Sequence, residues 1–193
     1  MSQQQLRESW LQKGILELTS LFQAKGYIVP TCLVSCGFAS SGTKLNHIGQ
    51  CWSRKSSSAE INQIFISPVL SDPVEVLDTL LHELIHAVDD CEHKHGKEFK
   101  KMALRLGMKG PMRSAGAGPE LRAVLETISL KLGPYPHSQL KVSRFTRTNH
   151  PRPSAKCPEC KYQVPMFKKF LEYGPPLCPK HKIEMLPKGN WEN

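Results

Sequence analysis

Three residues in the spacing His-Glu-x-x-His can carry out metal chemistry, namely His82, Glu83 and His86. On an α-helix, residues i and i+4 lie on one face about 6 Å apart, so the two histidines can direct ring nitrogens at one ion with Glu83 beside them. Zinc hydrolases use this arrangement. Because short motifs also arise by chance, the competing interpretation is a surface helix with two ordinary histidines.

The residues around the motif predict a helix independently of it. Asp72 suits the N-cap, Pro73 suits the first helical position, and Glu75 completes a capping box. Apolar residues then recur at steps of three and four, which predicts one buried stripe, formed by Val74, Leu77, Leu81, Leu84 and Val88. The two histidines lie off this stripe.

A third metal ligand is available after the helix. Residues 89–91 are poor helix formers and predict its end, and His93 and His95 follow closely enough for a turn to return one of them to the metal. Gly96 permits a tight turn, and residues 97–106 predict a second helix. Three protein ligands with a fourth position left for water distinguish catalytic from structural zinc.

Other zinc-protease patterns fit less well. A metzincin requires Gly at position 89 and His at 92, whereas this chain has Asp89 and Glu92, which excludes that class. A thermolysin-like site requires a glutamate ligand on a second helix, for which Glu98 is the candidate, although it lies close to the motif. Asp89 or Asp90 is a candidate to orient a ligand imidazole, and solvent exposure explains these acidic residues equally well.

The two blocks HELIH at 82–86 and HGKEF at 95–99 resemble the SprT-like zinc metallopeptidases, whose second block reads His-Gly-x-x-Phe. The resemblance covers about residues 5–133 and favours His95 over His93. It implies a zincin-like fold and, for some members, action on proteins associated with DNA. It assigns four site residues: the zinc ligands His82, His86 and His95, and the catalytic acid/base Glu83.

The remaining periodicities predict an α+β fold. Apolar spacing over residues 5–25 indicates an amphipathic helix, and residues 119–132 indicate a packing helix with proline at its start. Three short segments rich in β-formers predict a small antiparallel sheet, at 28–38, 48–53 and 61–67. In the arrangement that the family resemblance implies, an edge strand of this sheet runs past the metal, where a substrate peptide can add by main-chain hydrogen bonds.

Glycine and proline suggest the domain limits. Residues 107–118 are rich in Gly and small residues and predict a mobile loop, which borders the cleft or serves only as a connector. Tyr135 and His137 are candidate oxyanion donors, but the prolines flanking a basic tract favour a linker there. We predict three regions: a SprT-like zincin metallopeptidase domain at 1–133, a basic linker at 134–155 and a zinc-ribbon-like module at 156–193.

The C-terminal module contains two knuckles typical of structural zinc. Cys157 and Cys160 form a CxxC pair, and Cys178 with His181 forms a CxxH pair after seventeen intervening residues. So short a module cannot fold on its own core, so zinc would supply its stability. A histidine in the fourth place is less usual than a cysteine, and the competing interpretation is that Cys178 and His181 are incidental. We therefore predict two zinc ions, one catalytic and one structural.

Cysteine use and hydropathy indicate the compartment. Seven cysteines, an odd number that includes a CxxC pair, indicate metal binding in a reducing environment. Cys32, Cys36 and Cys51 fall on predicted strands and are interpreted as core thiols, with a second metal site there as the less favoured alternative. The sequence has no run of about eighteen apolar residues and no apolar N-terminal segment. We expect a soluble, cytoplasmic protein without a membrane partner, with the nucleoid or nucleus as further options.

Positive charge is concentrated near the C-terminus. The formal net charge is +9, and residues 133–193 hold eleven Lys and Arg against four Glu. Interleaved aromatic residues favour DNA, single- or double-stranded and without sequence-specific readout, over a merely solubilising tail. The aromatic residues are Phe145, Tyr162, Phe167, Phe170 and Tyr173. The predicted contacts are Lys141, Arg144, Arg147, Arg152, Lys168 and Lys169.

Together these features predict a zinc-dependent metallopeptidase that hydrolyses peptide bonds, with protein substrates associated with DNA. The alternative is a non-catalytic, zinc-containing nucleic-acid-binding protein whose histidine-bound metal only stiffens the fold. Glu83 favours the peptidase, because structural zinc has no use for a carboxylate at that place. The sequence identifies neither the oxyanion donor nor the oligomeric state.

Overall fold

The computed structural model describes residues 6–42, 47–142 and 152–191. The chain divides into two compact units, Met1–Arg144 and Phe145–Asn193. The predicted limits of domain, linker and module, at 1–133, 134–155 and 156–193, stay a prediction.

The first unit contains the four helices that the sequence predicts: α1 (Arg7–Ala24), α2 (Pro73–Val88), α3 (Lys97–Leu106) and α4 (Pro119–Leu132). At the start of α2, the Glu75 N–H donates to Asp72 Oδ1 at 2.9 Å, which confirms the N-cap. Gly107 ends α3 with φ of +98°, a conformation that glycine adopts without a Cβ clash. Within the described ranges, no helix has the length and apolar character needed to cross a membrane.

Three strands form a mixed sheet: β1 (Cys32–Cys36), β2 (Gly49–Trp52) and β3 (Asn62–Ile66), in the order β1-β3-β2. β2 pairs antiparallel with β3, but β1 pairs parallel with β3, so the predicted antiparallel sheet is wrong for β1. The long connection after β1 carries the chain across the sheet, and β3 takes the central position because Asn62, Ile64 and Ile66 are buried on its inner face. This order leaves β2 at an edge.

The predicted stripe on α2 is too narrow. Val74 and Val88 are only partly buried, whereas several residues outside the stripe are fully buried. The fully buried residues of α2 are Val76, Leu77, Leu80, Leu81, Leu84 and Ile85. The helix packs against α1, α3, α4 and the sheet, and Gly14 lets α1 approach, since a Cβ there would lie 3.2 Å from Leu77 and Leu80. The His-Glu-x-x-His motif therefore lies on the central, most constrained helix.

Residues 107–118 form a short hairpin in the structure, where the sequence predicts a loop without strands. β4 (Met108–Lys109) pairs antiparallel with β5 (Gly116–Ala117), and a 3-10 turn, Met112–Ser114, joins them. Asp78 of α2 holds β5, because its Oδ2 accepts the Ala117 N–H at 3.0 Å.

The start of the predicted linker packs within the first unit. Tyr135 is 5% exposed, with its ring centroid 5.0 Å from that of Trp10. His137 Nε2 lies 2.8 Å from the Pro68 carbonyl oxygen. Neither residue lines the cleft beside the His-Glu-x-x-His motif, so the suggestion that they are oxyanion donors is wrong.

The second unit is a small antiparallel sheet, β7-β6-β8, with β6 (Ser154–Lys156) between β7 (Gln163–Pro165) and β8 (Leu186–Lys188). A 3-10 helix, Lys168–Tyr173, follows β7. Among the described residues of the second unit, the buried hydrophobic cluster consists of Ala155, Cys157, Cys178 and Met185. So small a core provides little stability by itself.

Candidate metal centres

His82 and His86 lie one turn apart on α2, and the chain returns His95 to them. His95 Nε2 lies 3.2 Å from His82 Nε2 and 3.2 Å from His86 Nε2. One ligand atom from each histidine lies within 4.8 Å of the other two. The structure thus brings together the three histidines that the sequence and the family resemblance assign.

These distances fit a shared zinc ion. With Zn–N distances of about 2.0–2.1 Å, tetrahedral zinc places neighbouring ligand nitrogens about 3.3 Å apart. Hydrogen bonding alone explains the cluster poorly, because one ring nitrogen of a neutral imidazole offers either one N–H or one lone pair, whereas His95 Nε2 faces two other ring nitrogens at once. The residues therefore form a candidate zinc site.

A strained turn returns His95 to α2. Non-glycine residues adopt positive φ at three positions, Asp90 (52°), Cys91 (62°) and Lys94 (48°). The Cys91 N–H donates to the His86 carbonyl at 2.8 Å, which fixes the turn to the end of α2. Gly96 is needed because a Cβ there would lie 2.9 Å from the His93 carbonyl oxygen.

The other acidic and histidine candidates lie elsewhere. His93 is about half exposed and its Nδ1 lies 3.4 Å from Asp89 Oδ2. Asp90 accepts from the Arg54 N–H at 2.7 Å and from the Asn62 side-chain amide at 2.9 Å. Glu98 is exposed on α3. Neither aspartate orients a ligand imidazole, so that suggestion is wrong, and Glu98 is not among the grouped ligands.

The Phe99 ring packs against all three imidazole rings. The ring is fully buried, and its centroid lies 4.9 Å from that of His82, 4.5 Å from that of His86 and 5.0 Å from that of His95. Such tilted aromatic packing restricts ring rotation and so preorganises the ligands. This contact gives the phenylalanine of the HGKEF block a physical role.

The backbone of β2 positions Glu83. The Cys51 N–H donates to the Glu83 carboxyl, which is 6% exposed, and burial raises the pKa of Glu83 to about 8. Gly49 makes this approach possible, since a Cβ there would lie 2.5 Å from Glu83 Oε1 and 2.7 Å from Thr79 Cγ2. The carboxyl is thus held beside the histidines by a strand that crosses it closely.

The histidines are ready to bind a cation at neutral pH. Burial, followed by the charge of His95, lowers the pKa of His82 to about 4. Burial, followed by His82 and His95, lowers the pKa of His86 to about 3. Because only neutral imidazole coordinates metal, these shifts remove proton competition at pH 7.

The hairpin of β4 and β5 orients the site, a role that no sequence motif predicts. The His82 ring donates to the Ala115 carbonyl. One turn earlier on α2, Asp78 holds the Ala117 N–H, and burial raises the pKa of Asp78. A carbonyl acceptor fixes the orientation of a ligand imidazole. Since the acceptor is a backbone atom, its residue type carries no signal.

The three histidines and Glu83 line an open cleft of about 680 Å³. Its walls come from residues 47–51, the upper face of α2, the turn after α2 and residues 113–116. This volume is ample for an extended peptide segment. The predicted alternative for residues 107–118, that they border the cleft, is confirmed.

The second unit holds the other candidate centre. Cys157 Sγ lies 3.5 Å from His181 Nδ1, Cys160 Sγ lies 3.7 Å from Cys178 Sγ, and Cys178 Sγ lies 3.9 Å from His181 Nδ1. Tetrahedral zinc with Zn–S distances of about 2.3 Å places sulfurs about 3.8 Å apart. The four side chains therefore fit zinc and would supply all four of its ligands.

The two knuckles have the same backbone hydrogen bonds. The Cys157 N–H donates to the Tyr162 carbonyl, and the Cys178 N–H donates to the Ile183 carbonyl, each at 2.8 Å. Lys161 and Lys182, four residues after each cysteine, both adopt positive φ. Because the second knuckle repeats the backbone geometry of the first, we interpret Cys178 and His181 as a pair of metal ligands and not as incidental residues.

The predicted nucleic-acid contacts are only partly within the described residues. Lys141, Arg152, Lys168 and Lys169 are exposed, whereas Arg144, Arg147 and Phe145 lie outside the described ranges. Four aromatic side chains of the second unit are also exposed: Tyr162 (48%), Phe167 (72%), Phe170 (43%) and Tyr173 (77%).

A buried helix with His-Glu-x-x-His, a third histidine and an open cleft defines a metallopeptidase-type fold. The sequence model of the SprT-like family matches residues 22–120, just over half of the chain, and the chain belongs to this family. The histidine site lies inside the matched region, and the cysteine site lies outside it. Neither a curated protein nor a solved structure matches the chain.

Proposed function

We propose that the protein is a zinc-dependent metallopeptidase. The observation that carries this proposal is the buried carboxyl of Glu83 beside three histidines that face an open cleft. A purely structural ion is enclosed by four protein ligands, as at the cysteine site, whereas the histidine site offers three. Membership of the SprT-like family supports the same function.

The chain's own residues account for proton transfer. Zinc held by the three histidines would supply Lewis acidity and lower the pKa of a bound water. The positive charge of a bound zinc ion would lower the pKa of Glu83 from its metal-free value of about 8 and keep the carboxyl ionised. Glu83 then accepts the proton of the attacking water and later delivers it to the leaving amine. The Cys51 N–H and the close approach of Gly49 fix the Glu83 carboxyl for both transfers.

The outer edge of β2 at Gly49 supplies a binding site for an extended peptide. The Ile48 carbonyl accepts from the Ser67 N–H, so the backbone groups of Gly49 point away from β3 by the alternation of antiparallel pairing. Ile48 and Gly49 both line the cleft. A substrate that adds to this edge is bound through its main chain, so side-chain selectivity is low.

His95→Ala tests the zinc assignment against a neighbouring histidine. We expect the zinc-loaded wild type to carry two zinc ions per chain and to cleave an unfolded protein such as reduced, alkylated casein. His95→Ala should lose one zinc ion and most cleavage, because two histidines alone bind zinc weakly. The matched control, His93→Ala, should keep both. Native mass spectrometry gives the zinc count, and gel electrophoresis gives the cleavage.

Cleavage by the metal-free chain, or equal loss in His93→Ala and His95→Ala, would contradict the assignment. Two bound zinc ions without cleavage of any unfolded protein, in the presence or absence of DNA, would favour the alternative of a non-catalytic, zinc-containing nucleic-acid-binding protein.

Gly49→Ala tests how closely Glu83 must be held. The added Cβ would meet Glu83 and Thr79 at less than 3 Å, so the carboxyl must shift and cleavage should fall roughly 10- to 100-fold with zinc retained. Thr79→Ser removes one of the two clashes. The double variant should therefore regain thermal stability but not activity, as judged by melting temperature and kcat. Full activity in Gly49→Ala would show that the Glu83 position is not critical.

We further propose that the second unit binds DNA and so brings the peptidase to proteins on nucleic acid inside the cell. The support is the exposure of basic side chains beside exposed aromatic ones, among them Lys168, Phe167 and Tyr173. Cations contact phosphates, and exposed rings stack on unpaired bases.

Substitution of Lys168 and Lys169 by alanine should weaken binding to a DNA oligonucleotide and lower the salt dependence of binding by about 1 to 2 in slope. Phe167→Ala should weaken single-stranded more than double-stranded binding. The charge-matched control replaces Lys100 and Lys101, exposed on α3, and should change little. Fluorescence anisotropy over a salt series measures both effects. An equal effect of the two lysine pairs would indicate nonspecific charge alone.

A further inference from the structure

Two thiols, Cys51 and Cys91, meet in the wall of the cleft. Cys91 Sγ donates to the Cys51 carbonyl oxygen at 3.6 Å, and the neighbouring Cys91 thiol raises the pKa of Cys51. Both are free, partly exposed cysteines that line the cleft. Cys32, by contrast, is 6% exposed and lies in the hydrophobic core. The Cys51 and Cys91 thiols are therefore placed where a small reagent can reach them.

The strand β2 and the turn after α2, which carry the two thiols, also contact residues of the histidine site. The Cys51 N–H donates to the Glu83 carboxyl, and the Cys91 N–H donates to the carbonyl of His86 at 2.8 Å. Asp90, directly before Cys91, bonds the Arg54 N–H at 2.7 Å and the Asn62 amide at 2.9 Å, so the turn is tied to the sheet. The contact between the thiols is thus fixed from both sides.

Metal binding does not explain the pair. Among the described residues, the side-chain groups compact enough for an ion are the histidine site and the cysteine-histidine site, and neither includes Cys51 or Cys91. Core packing explains only part of the placement, since Cys51 packs against the hydrophobic core but both thiols line the open cleft. Reaction between the two sulfurs is the chemistry that their placement favours.

We propose that Cys51 and Cys91 form an oxidative modification site, at which hydrogen peroxide converts the two thiols to a disulfide. With Cys91 reacting first, its thiolate attacks the peroxide O–O bond, which yields a sulfenic acid and, with one proton, water. The Cys51 sulfur then attacks the sulfenic sulfur and displaces hydroxide, which leaves as a second water with the proton from Cys51. The two thiols lose two electrons, and the hydrogen peroxide accepts them.

The pKa of Cys51 is raised, first by its hydrogen bond with Cys91 and then by burial. The product does not depend on which thiol meets the peroxide first, because the neighbouring sulfur resolves either sulfenic acid to the same disulfide.

The disulfide acts on the site through β2, and this consequence rests on the proposed peptidase function. A disulfide requires an S–S distance of about 2.05 Å, shorter than the contact of two thiols, so β2 and the turn after α2 must move together. That movement displaces the Cys51 N–H from the Glu83 carboxyl. Cleavage should fall roughly 10- to 100-fold, because misplacement of a catalytic group has effects of that size.

The test treats the zinc-loaded full chain with a few equivalents of hydrogen peroxide and maps disulfides by mass spectrometry after alkylation. Trypsin places Cys51 in residues 45–54 and Cys91 in residues 56–94, so the bond links two distinct peptides. Cys51→Ser and Cys91→Ser should abolish this link. The matched control, Cys36→Ser, changes a cysteine of the same unit that does not line the cleft. A colorimetric chelator follows zinc release and so reports oxidation at the cysteine-histidine site.

The expected result is the linked pair of peptides, formed without zinc release, together with cleavage that falls and returns with dithiothreitol. Oxidation of these thiols to other products, or links that join other cysteines, would overturn the proposal. Because the link is read by mass, it is tested even if the reduced chain cleaves nothing, which would overturn the peptidase proposal alone. A link that leaves cleavage intact would retain the modification site and overturn its effect on Glu83.

Discussion

Glu83→Gln should lower kcat/KM for peptide cleavage by roughly 10²–10⁴-fold, the range over which general acid–base catalysis contributes. The glutamine amide keeps the shape of the side chain and can still accept the Cys51 N–H through its oxygen. It cannot take a proton from water. Both zinc ions should remain bound, because Glu83 is not one of the grouped ligands.

The matched control is Glu98→Gln, which changes the same residue type at an exposed position on α3. It should leave kcat/KM and zinc content unchanged. Initial rates on a fluorogenic peptide, with metal content determined on the same samples, provide the comparison. If Glu83→Gln cleaves at the rate of wild type, another group activates the water and Glu83 is not the general base.

The stability of Glu83→Gln has its own pH dependence. In the metal-free folded chain the pKa of Glu83 is raised to about 8, so the folded state holds a proton that the unfolded chain releases above its ordinary value of 4.5. The contribution of Glu83 to the folding stability of the wild type therefore falls as pH rises from 4.5 to about 8. Glutamine does not titrate, so its contribution does not change over this range. Metal-free Glu83→Gln should be the more stable protein at pH 8, by an amount that shrinks toward pH 4.5. Urea unfolding at both pH values measures this difference. A cooperative unfolding transition of Glu83→Gln also shows that its loss of activity is not caused by misfolding.

The helices were predictable because their signals are local. The bounds of α3 and α4 agree with the predicted 97–106 and 119–132, and Asp72 and Pro73 act at the start of α2 as expected. Caps, proline at the first position and glycine after the last turn act within a few residues, so tertiary contacts need not be known.

Strand order and helix burial were not predictable in the same way. Alternation shows which residues of β3 face the core, but whether β1 runs parallel to it depends on where the connection after β1 crosses the sheet. Likewise, a stripe on α2 assumes one buried face. Elements packed on several sides of α2 bury Val76, Leu80 and Ile85 as well.

At the histidine site, the side chains were predictable from the sequence and the backbone contacts were not. The motif identifies the side chains of the histidine site, and the resemblance selects His95, which the structure brings to the other two. The groups that hold them are backbone atoms, the Ala115 carbonyl and the Cys51 N–H. Every residue type carries these atoms, so only the folded chain reveals which ones reach the site. Gly49 was the one available signal, as a glycine within a strand marks close backbone approach.

Loss of one cysteine ligand should unfold the second unit completely. Cys157 and Cys178 are both zinc-ligand candidates and half of the four-residue buried cluster. Structural zinc contributes about 10–16 kcal/mol in small modules, which exceeds what so small a core can supply. In Cys157→Ser, or in wild type with a strong chelator, the sheet of β6, β7 and β8 should therefore be lost, while the first unit keeps its own core.

Amide NMR spectra of the full chain measure this directly, since resonances of residues 152–191 should collapse to random-coil shifts while those of the first unit persist. Met185→Leu is the matched control, because it changes a buried residue of the same cluster at constant volume and should cost less than about 1.5 kcal/mol. A folded second unit in both Cys157→Ser and chelator-treated wild type would show that zinc does not hold it together.

The fourth ligand can be tested with a pair of substitutions at one position. His181 Nδ1 lies 3.5 Å from Cys157 Sγ and 3.9 Å from Cys178 Sγ, within the geometry of a shared ion. His181→Cys restores a CxxC pair and should keep the unit folded with zinc bound, whereas His181→Ala should release the ion and unfold the unit. If alanine is tolerated as well as cysteine, three sulfurs suffice and His181 only packs beside them. Because the two knuckles share the same backbone hydrogen bonds, we expect cysteine and histidine to be interchangeable at this position and alanine to fail.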